Sequence, residues 1–181
     1  MRLKKQIAIL ALGAGFAACT PQPATNLIED NMEFAQQQLR FAFDEIDYAI
    51  VNESPESRAK REKNGWGELT NPRNSEPDGT LNLVPSKDWT SGFFPGELWF
   101  LYEYTQNNFW KKKAQQHTDI LEKEKMNGST HDMGFKVYCS FGNGYRLTQD
   151  EHYKEVLLQS ARTLATRFKP AAGIIRSWDH S

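Results

Sequence analysis

The chain has 181 residues, a net charge of −1 and two cysteines. Its 22 basic and 23 acidic residues are interspersed, so no basic stripe could neutralise phosphates and nucleic acid is not an expected partner. Composition excludes little more, because an aromatic content of 12% suits both a protein core and a sugar-binding surface.

The first residues predict a secretory signal. A short cationic head, residues 1–5, precedes an apolar run, residues 6–16, that is too short to cross about 30 Å of hydrocarbon. Two alanines then lead directly to Cys19, which resembles the end of a bacterial lipoprotein signal. We therefore expect a signal peptide over residues 1–18, lipid on Cys19 and a polar tether over residues 19–26; an ordinary cleaved signal is the alternative.

A lipidated Cys19 would be the protein's only attachment to a membrane. The tether has no acidic cluster that would favour export beyond the periplasm, so we expect a periplasmic or outer-membrane lipoprotein of a Gram-negative bacterium. Cys139 is then the remaining cysteine, and no intrachain disulfide is expected.

After the tether, residues 27–50 predict a long amphipathic helix. Its predicted apolar stripe comprises Leu27, Phe34, Leu39, Phe41, Phe43, Ile46, Tyr48 and Ile50. Residues 52–87 are polar and rich in proline and glycine, which predicts a long loop with turns. Long loops in compact domains are often functional, and Trp66 is a candidate to line a cleft there.

The next part of the chain repeats itself. Residues 105–111 (TQNNFWK) recur as residues 148–154 (TQDEHYK), 43 residues later, and Gly92 parallels Gly134. Each copy predicts a Gly-Phe helix start, an aromatic-rich helix, a polar turn and a second, more charged helix. A repeat of this length made of two helices indicates stacked helical hairpins.

The two helices of each hairpin differ in charge. Residues 93–104 and 135–147 are mostly apolar and are predicted to be inner helices, whereas residues 110–125 and 153–169 are predicted to face water. This pattern favours an all-α fold, an α/α toroid, with a right-handed solenoid as the competing geometry. Both helix starts then open onto one rim, where we expect the functional site.

Polar residues at this rim have two interpretations. Asp88 and Ser91 are predicted to cap helix N-termini, worth about 1 kcal/mol each, whereas Asp132 is either a cap or a functional carboxylate. Trp89 and Trp178 lie beside polar residues and offer flat apolar platforms for a sugar.

Other chemistry has weaker support. A His-Asp doublet such as His131-Asp132 also occurs in metal-dependent helical phosphohydrolases, but the additional His and Asp that they require are missing, so neither a metal nor a cofactor is predicted. Cys139 lies among apolar residues and is expected to be an inert thiol. Trp99 and Trp110 are expected in the core, and close helix packing explains the glycines at 142 and 144.

Taken together, four ordered motifs resemble unsaturated glucuronyl hydrolases, glycoside hydrolase family 88. The motifs are residues 88–96 (DWTSGFFPG), 130–135 (THDMGF), 140–148 (SFGNGYRLT) and 175–179 (IRSWD). The resemblance covers residues 27–181 and implies an (α/α)6 toroid that needs no cofactor. It implies a glycosidase (EC 3.2.1.-) that removes 4,5-unsaturated uronic acid from lyase-generated, glycosaminoglycan-type oligosaccharides by hydrating the C4=C5 double bond.

The resemblance also implies roles for single residues. Asp132 matches the family's first essential aspartate, His131 a substrate-contacting neighbour, and Trp89 and Trp178 the aromatic residues beside the bound uronate. The second aspartate of the family would follow Trp178 in a motif that this sequence does not contain. We therefore expect about the first half of the toroid, which alone would be inactive and prone to associate.

Two other functions remain open at this point. A non-catalytic glycan-binding lipoprotein would keep both tryptophans and the anchor but would need no second carboxylate. An unsaturated rhamnogalacturonyl hydrolase would share the toroid, although the residues around Trp89 and Asp132 favour the glucuronyl group.

Overall fold

The computed structural model describes residues 24–179, which form helices and two small antiparallel pairs of strands. The predicted signal peptide, Cys19 and most of the tether lie outside these residues. In chain order the elements are α1 (Ala24–Val51), α2 (Pro55–Lys63), β1 (Leu69–Ser75), β2 (Leu81–Pro85), α3 (Phe93–Thr105), α4 (Asn108–Asp119), a 3₁₀ helix (Glu122–Met126), a π-helix (Gly134–Gly142), α5 (Asn143–Thr148), α6 (Glu151–Ala165), β3 (Phe168–Lys169) and β4 (Ile174–Ile175). Across this part of the chain, every helix is too short or too polar to cross a bilayer.

The predicted repeat is visible at the turns between paired helices. Gln106 and Gln149, 43 residues apart, end α3 and α5 in the left-handed conformation, with φ of 53° and 57°. The next residues, Asn107 and Asp150, accept the first free N–H groups of α4 and α6 with their side chains. Local sequence therefore encodes both hairpin turns in the same way.

The core lies where the inner helices, α3 and the π-helix with α5, pack against the outer helices α4 and α6. Trp99 and Trp110 are fully buried as predicted, and the Trp99 indole N–H donates to the Thr118 hydroxyl at 2.9 Å. Gly144 explains the predicted close packing, because a Cβ there would lie 2.6 Å from the Tyr153 ring. The inner helix of the second hairpin begins as the π-helix and continues directly into α5.

The first helix forms as predicted, but the face that it buries differs from the predicted stripe. Phe43 and Ile46 are buried against the core, whereas Phe34 and Phe41 are 61% and 65% exposed. Leu27, Tyr48 and Ile50 are exposed as well. Helical spacing identified the helix but could not select among the overlapping apolar stripes, since that choice depends on which neighbours pack against it.

The prediction of an irregular loop over residues 52–87 is wrong. Ser54 caps α2, which starts at a proline, and β1 and β2 form an antiparallel hairpin whose turn contains Gly79 at φ 90°. The fully buried Asn71 of β1 donates to the Ser91 carbonyl at 2.8 Å, which fixes this hairpin against the start of α3. Trp66 lies 5.9 Å from the Lys60 ammonium.

His117 is a buried titratable group in this core. Its ring is stacked on Phe43 and packs edge-on against Phe94, and its Nδ1 lies 2.8 Å from the Asn71 side-chain oxygen. Burial, with a smaller contribution from the charge of Lys113, lowers the pKa of His117 to about 4. The imidazole is therefore neutral in the folded protein.

We expect this buried histidine to make folding stability depend on pH. Because the folded pKa is about 4 and the unfolded value 6.5, stability should be constant above pH 6.5 and fall as pH drops toward 4. The loss should be on the order of 3 kcal/mol in the free energy of unfolding. Urea unfolding at stepped pH would measure it, with His117→Gln flattening the curve. An equally steep curve for His117→Gln would contradict the assignment.

Candidate functional site

Asp132 lies immediately before the π-helix, at the rim where the inner helices begin. Its side chain is 12% exposed. The Thr130 hydroxyl donates to Oδ2 at 3.3 Å and accepts the Asp132 N–H at 3.1 Å. Nε2 of His131 lies 3.3 Å from Oδ1. Both carboxylate oxygens thus have a partner from the two preceding residues.

His131 has an oxygen in front of each ring nitrogen. Nδ1 lies 2.9 Å from the Ser177 carbonyl, which can only accept, so Nδ1 carries a hydrogen. The other ring nitrogen, Nε2, faces the Asp132 carboxylate. The Ser177 carbonyl and this carboxylate together fix the orientation of the imidazole.

Trp178 reaches this pair through the histidine. The centroids of the His131 and Trp178 rings are 4.6 Å apart with the planes at 85°, an edge-to-face contact. The indole remains 61% exposed. Trp178 is thus connected to His131 and Asp132, although it lies more than 40 residues later in the sequence.

Arg167 holds the segment that carries Trp178. Its guanidinium is buried and donates to the carbonyls of Arg176, Ser177 and Gly128 at 2.9, 2.7 and 2.7 Å. It also pairs with Asp179 at 3.0 Å. The Ser177 carbonyl therefore has two donors, Arg167 and His131, and its position fixes that of the neighbouring indole.

Trp89 belongs to a second group at the same rim. Its ring lies 5.9 Å from that of Phe93 and 5.7 Å from that of Phe135, and all three rings are partly exposed. Arg73 lies 5.9 Å from the indole and 3.4 Å from Asp88. These aromatic rings join the starts of the two inner helices.

The two indoles are connected to Asp132 through different residues. Trp178 packs against the His131 ring, which contacts the Asp132 carboxylate. Trp89 packs against Phe135, whose backbone N–H donates to the Asp132 carbonyl at 3.1 Å.

The predicted capping roles of Asp88 and Ser91 are wrong. Asp88 accepts the N–H and hydroxyl of Thr90 at 2.9 and 2.6 Å, so it stabilises the turn before α3. Ser91 is buried and donates to the Ser86 carbonyl at 2.7 Å. The π-helix likewise has no side-chain cap, so capping is not the function of Asp132 either.

A cavity of about 1240 Å³ opens between α1, the β1–β2 hairpin and α3. Thr90 and Phe93 line it, whereas Asp132, His131 and Trp178 do not. Trp89 is not part of the lining either, so the cavity contacts the predicted site only through residues next to Trp89 in the chain. Burial raises the pKa of Glu97, which also lines the cavity.

Cysteine and metal chemistry find no support in the geometry. Burial raises the pKa of the Cys139 thiol, which disfavours the reactive thiolate. Within residues 24–179, no three His, Cys, Asp or Glu side chains converge in a way that could hold a metal ion.

Sequence reasoning missed two residues that organise this rim, Lys136 and Arg167. Lys136 had a detectable signal, because it is a single charged residue within an otherwise apolar helix start. Arg167 had none, since charged residues are common at the end of an outer helix.

The helical hairpins thus present a carboxylate, an imidazole and two exposed indoles at one rim, a set of side chains that suits a carbohydrate ligand. Over 100 residues the chain is 56% identical to the unsaturated glucuronyl hydrolase of Formosa agariphila, in a match that covers 55% of this chain and 25% of that protein. It is 30% identical over 106 residues to the unsaturated chondroitin disaccharide hydrolase of Streptococcus pneumoniae, covering 56% of this chain and 26% of that protein.

A solved structure gives the same result. The crystal structure of an unsaturated glucuronyl hydrolase specific for heparin matches with a TM-score of 0.60 and 36% identity, over 82% of this chain and 37% of that one. No protein-family model matches the chain.

These similarities confirm the resemblance predicted from the four motifs: the chain is a homologue of unsaturated glucuronyl hydrolases, which are glycosidases. They also confirm the predicted fold, an all-α, incomplete (α/α)6 toroid of helical hairpins. The chain spans about a quarter of the length of the curated relatives that it matches.

We expect Arg167→Met to release the segment that carries Trp178. The substitution removes a donor from three carbonyls, although the Ser177 carbonyl keeps its second donor, His131. The cost should be about 1–3 kcal/mol in the free energy of unfolding for each acceptor left buried and unpaired. Hydrogen–deuterium exchange should accelerate over residues 168–178 more than over α3. Arg162→Met serves as the matched control, because Arg162 is exposed and lies only five residues earlier, in α6. Unchanged exchange in a folded Arg167→Met protein would refute this role.

Proposed function

We propose that this chain contributes one wall of an active site that removes 4,5-unsaturated uronic acid from oligosaccharides produced by polysaccharide lyases. The observation that carries the proposal is the contact series Trp178–His131–Asp132, in which a carboxyl group lies 3.3 Å from an imidazole that packs against an exposed indole. The names of the relatives support the substrate class, since one acts on an unsaturated chondroitin disaccharide and another is specific for heparin.

The substrate's own chemistry determines what the site must supply. The C4=C5 double bond is part of an enol ether, so a proton added at C4 lets water add at C5. The resulting hemiketal opens to a ketone, which leaves C1 as a hemiacetal carbon that expels the partner sugar. One water molecule is consumed, and the proton taken from it replaces the proton given to C4.

Asp132 and His131 can serve the step in which water adds at C5. In our proposal the Asp132 carboxylate orients the water that adds at C5, and the pair takes up the released proton. A second carboxyl group, expected from the family resemblance, would protonate C4. Such a step requires a carboxyl group that holds its proton near neutral pH.

The indoles supply binding. Trp178 and Trp89 are 61% and 42% exposed, and the face of an indole packs well against the apolar face of a pyranose. A protein that only binds glycans would need these platforms but would not need a carboxyl group placed beside an imidazole. The His131–Asp132 contact therefore favours an enzyme over the binding protein.

We also propose that Cys19 carries lipid and holds the domain at the periplasmic face of a membrane in a Gram-negative cell. The support is the order of a cationic head, a short apolar run and small residues directly before Cys19. A lipid anchor would keep the enzyme close to oligosaccharides that enter the periplasm.

We expect the chain to bind an unsaturated uronate disaccharide and Trp178→Ala to weaken that binding by about tenfold, which corresponds to about 1.4 kcal/mol. Isothermal titration calorimetry would measure the affinity. Trp66→Ala removes another exposed indole, beside Lys60, and should leave the affinity unchanged. Asp132→Asn should keep binding within a few-fold, and so should Asp44→Asn on α1. Full affinity in Trp178→Ala would rule out the proposal.

We expect Cys19→Ser to move the protein from the membrane fraction to the soluble periplasm of a Gram-negative host, because the acceptor thiol is lost. Metabolic labelling with an alkyne fatty acid would report lipidation directly. Cys139→Ser should keep both the label and the membrane association. A labelled or membrane-bound Cys19→Ser protein would show that another residue provides the attachment.

A further inference from the structure

Lys136 is a charged side chain with no access to solvent. It lies in the π-helix, four residues after Asp132, and its relative exposure is 0%. Burying an ammonium group is costly unless it is paired and hydrogen-bonded. Its ammonium donates to the Lys87 carbonyl at 2.9 Å and lies 3.4 Å from an oxygen of Glu124. Because it is sealed from solvent, it cannot touch a substrate.

Glu124 completes a buried network around this ammonium. One of its oxygens accepts the Ser86 hydroxyl at 2.7 Å and the other accepts the Asn127 side chain at 2.8 Å. Burial by itself would raise the pKa of Glu124, but the hydrogen bonds from Asn127 and Ser86 and the charge of Lys136 outweigh it and lower the pKa. The carboxylate is thus held in its charged form beside the lysine.

Three separate segments meet in this network. The first is the Trp89 loop, residues 86–92, which contributes Ser86 and Lys87. The second is the 3₁₀ helix with Glu124, which ends at Asn127 and leads into the Asp132 loop, residues 127–133. The third is the π-helix that follows this loop and contains Lys136. A close backbone contact reinforces the junction, because a Cβ on Gly92 would lie 2.2 Å from the Lys136 carbonyl.

We propose that Lys136 is a positioning residue that fixes the Trp89 loop relative to the Asp132 loop and so sets the distance between the indole platform and the carboxylate. It acts through the Lys87 carbonyl on one side and through Glu124 on the other. This inference rests on the proposed function for its purpose, but its geometry can be tested without any substrate.

The test uses the whole chain labelled with 5-fluorotryptophan. The chain has five tryptophans, and each gives a separate ¹⁹F resonance. Lys136→Met keeps the length of the side chain and removes the ammonium. We expect the Trp89 resonance to shift or split, while the core reporters Trp99 and Trp110 keep their positions. Thr118→Val is the matched control, because it removes the buried hydrogen bond to the Trp99 indole and should move Trp99 but not Trp89.

A second variant guards against a failure to fold. Glu124→Gln keeps the shape of the partner and removes its charge, and it should move the Trp89 resonance in the same direction by a smaller amount. An unchanged Trp89 resonance in a folded variant, or an equal shift of all five resonances, would overturn the proposal. A sugar that fails to bind the unaltered chain would count against the proposed function and not against this one, since the ¹⁹F readout needs no ligand.

Discussion

The close approach of the two inner helices at their starts is the constraint on which the rim depends. Gly92 has Lys136 and Phe135 carbonyls so near that any side chain there would collide with backbone. Backbone atoms cannot rotate away as a side chain can, so only glycine allows this distance. That contact brings Phe93 next to Phe135 and, with them, Trp89. The parallel residue Gly134 has open space around it, so the same sequence position serves packing in one hairpin and not in the other.

Two buried cations then hold the irregular segments between the helices. Lys136 acts on the loop before Trp89, and Arg167 acts on the segment before Trp178. Both donate to backbone carbonyls, which fixes loop geometry without depending on the identity of the loop side chains. A buried cation is costly when it loses its partners, so each network favours one arrangement of its loop strongly over the alternatives. The exposed indoles and the His131–Asp132 pair can remain open to a ligand because their supports are buried.

The residues that support the rim also differ in solvent exposure from those proposed to act on a ligand. The groups that touch the sugar in the proposed function are Trp89, His131 and Trp178, and they are partly or largely exposed. Lys136, Glu124 and Arg167 are buried. Asp132 lies between these extremes at 12%. A carboxylate in that position is partly shielded from water, which strengthens its interaction with the neighbouring imidazole.

Sequence alone was sufficient where the physical cause is local. The hairpin turns depend on neighbouring residues, such as Asn107 or Asp150 accepting an N–H two positions on, and their recurrence after 43 residues is legible in the sequence. Helical spacing likewise predicted α1, and the four motifs predicted the homology and the candidate residues Trp89, His131, Asp132 and Trp178. Local patterns failed at residues 52–87, where a strand hairpin forms through pairing and through the long-range contacts of Asn71.

Tertiary structure decided everything that depends on partners distant along the chain. Which stripe of α1 is buried follows from its neighbours, so Phe43 is covered and Phe41 is not. Ser91 could have capped a helix but bonds instead to Ser86, and the contact of His131 with Ser177 crosses 46 residues. Capping motifs and apolar periodicity describe what a residue can do within its own turn of chain. The free energy of burying a charge or an indole depends on atoms that only the folded chain brings near. Lys136 and Arg167 could therefore be recognised as supports of the site only from the tertiary structure.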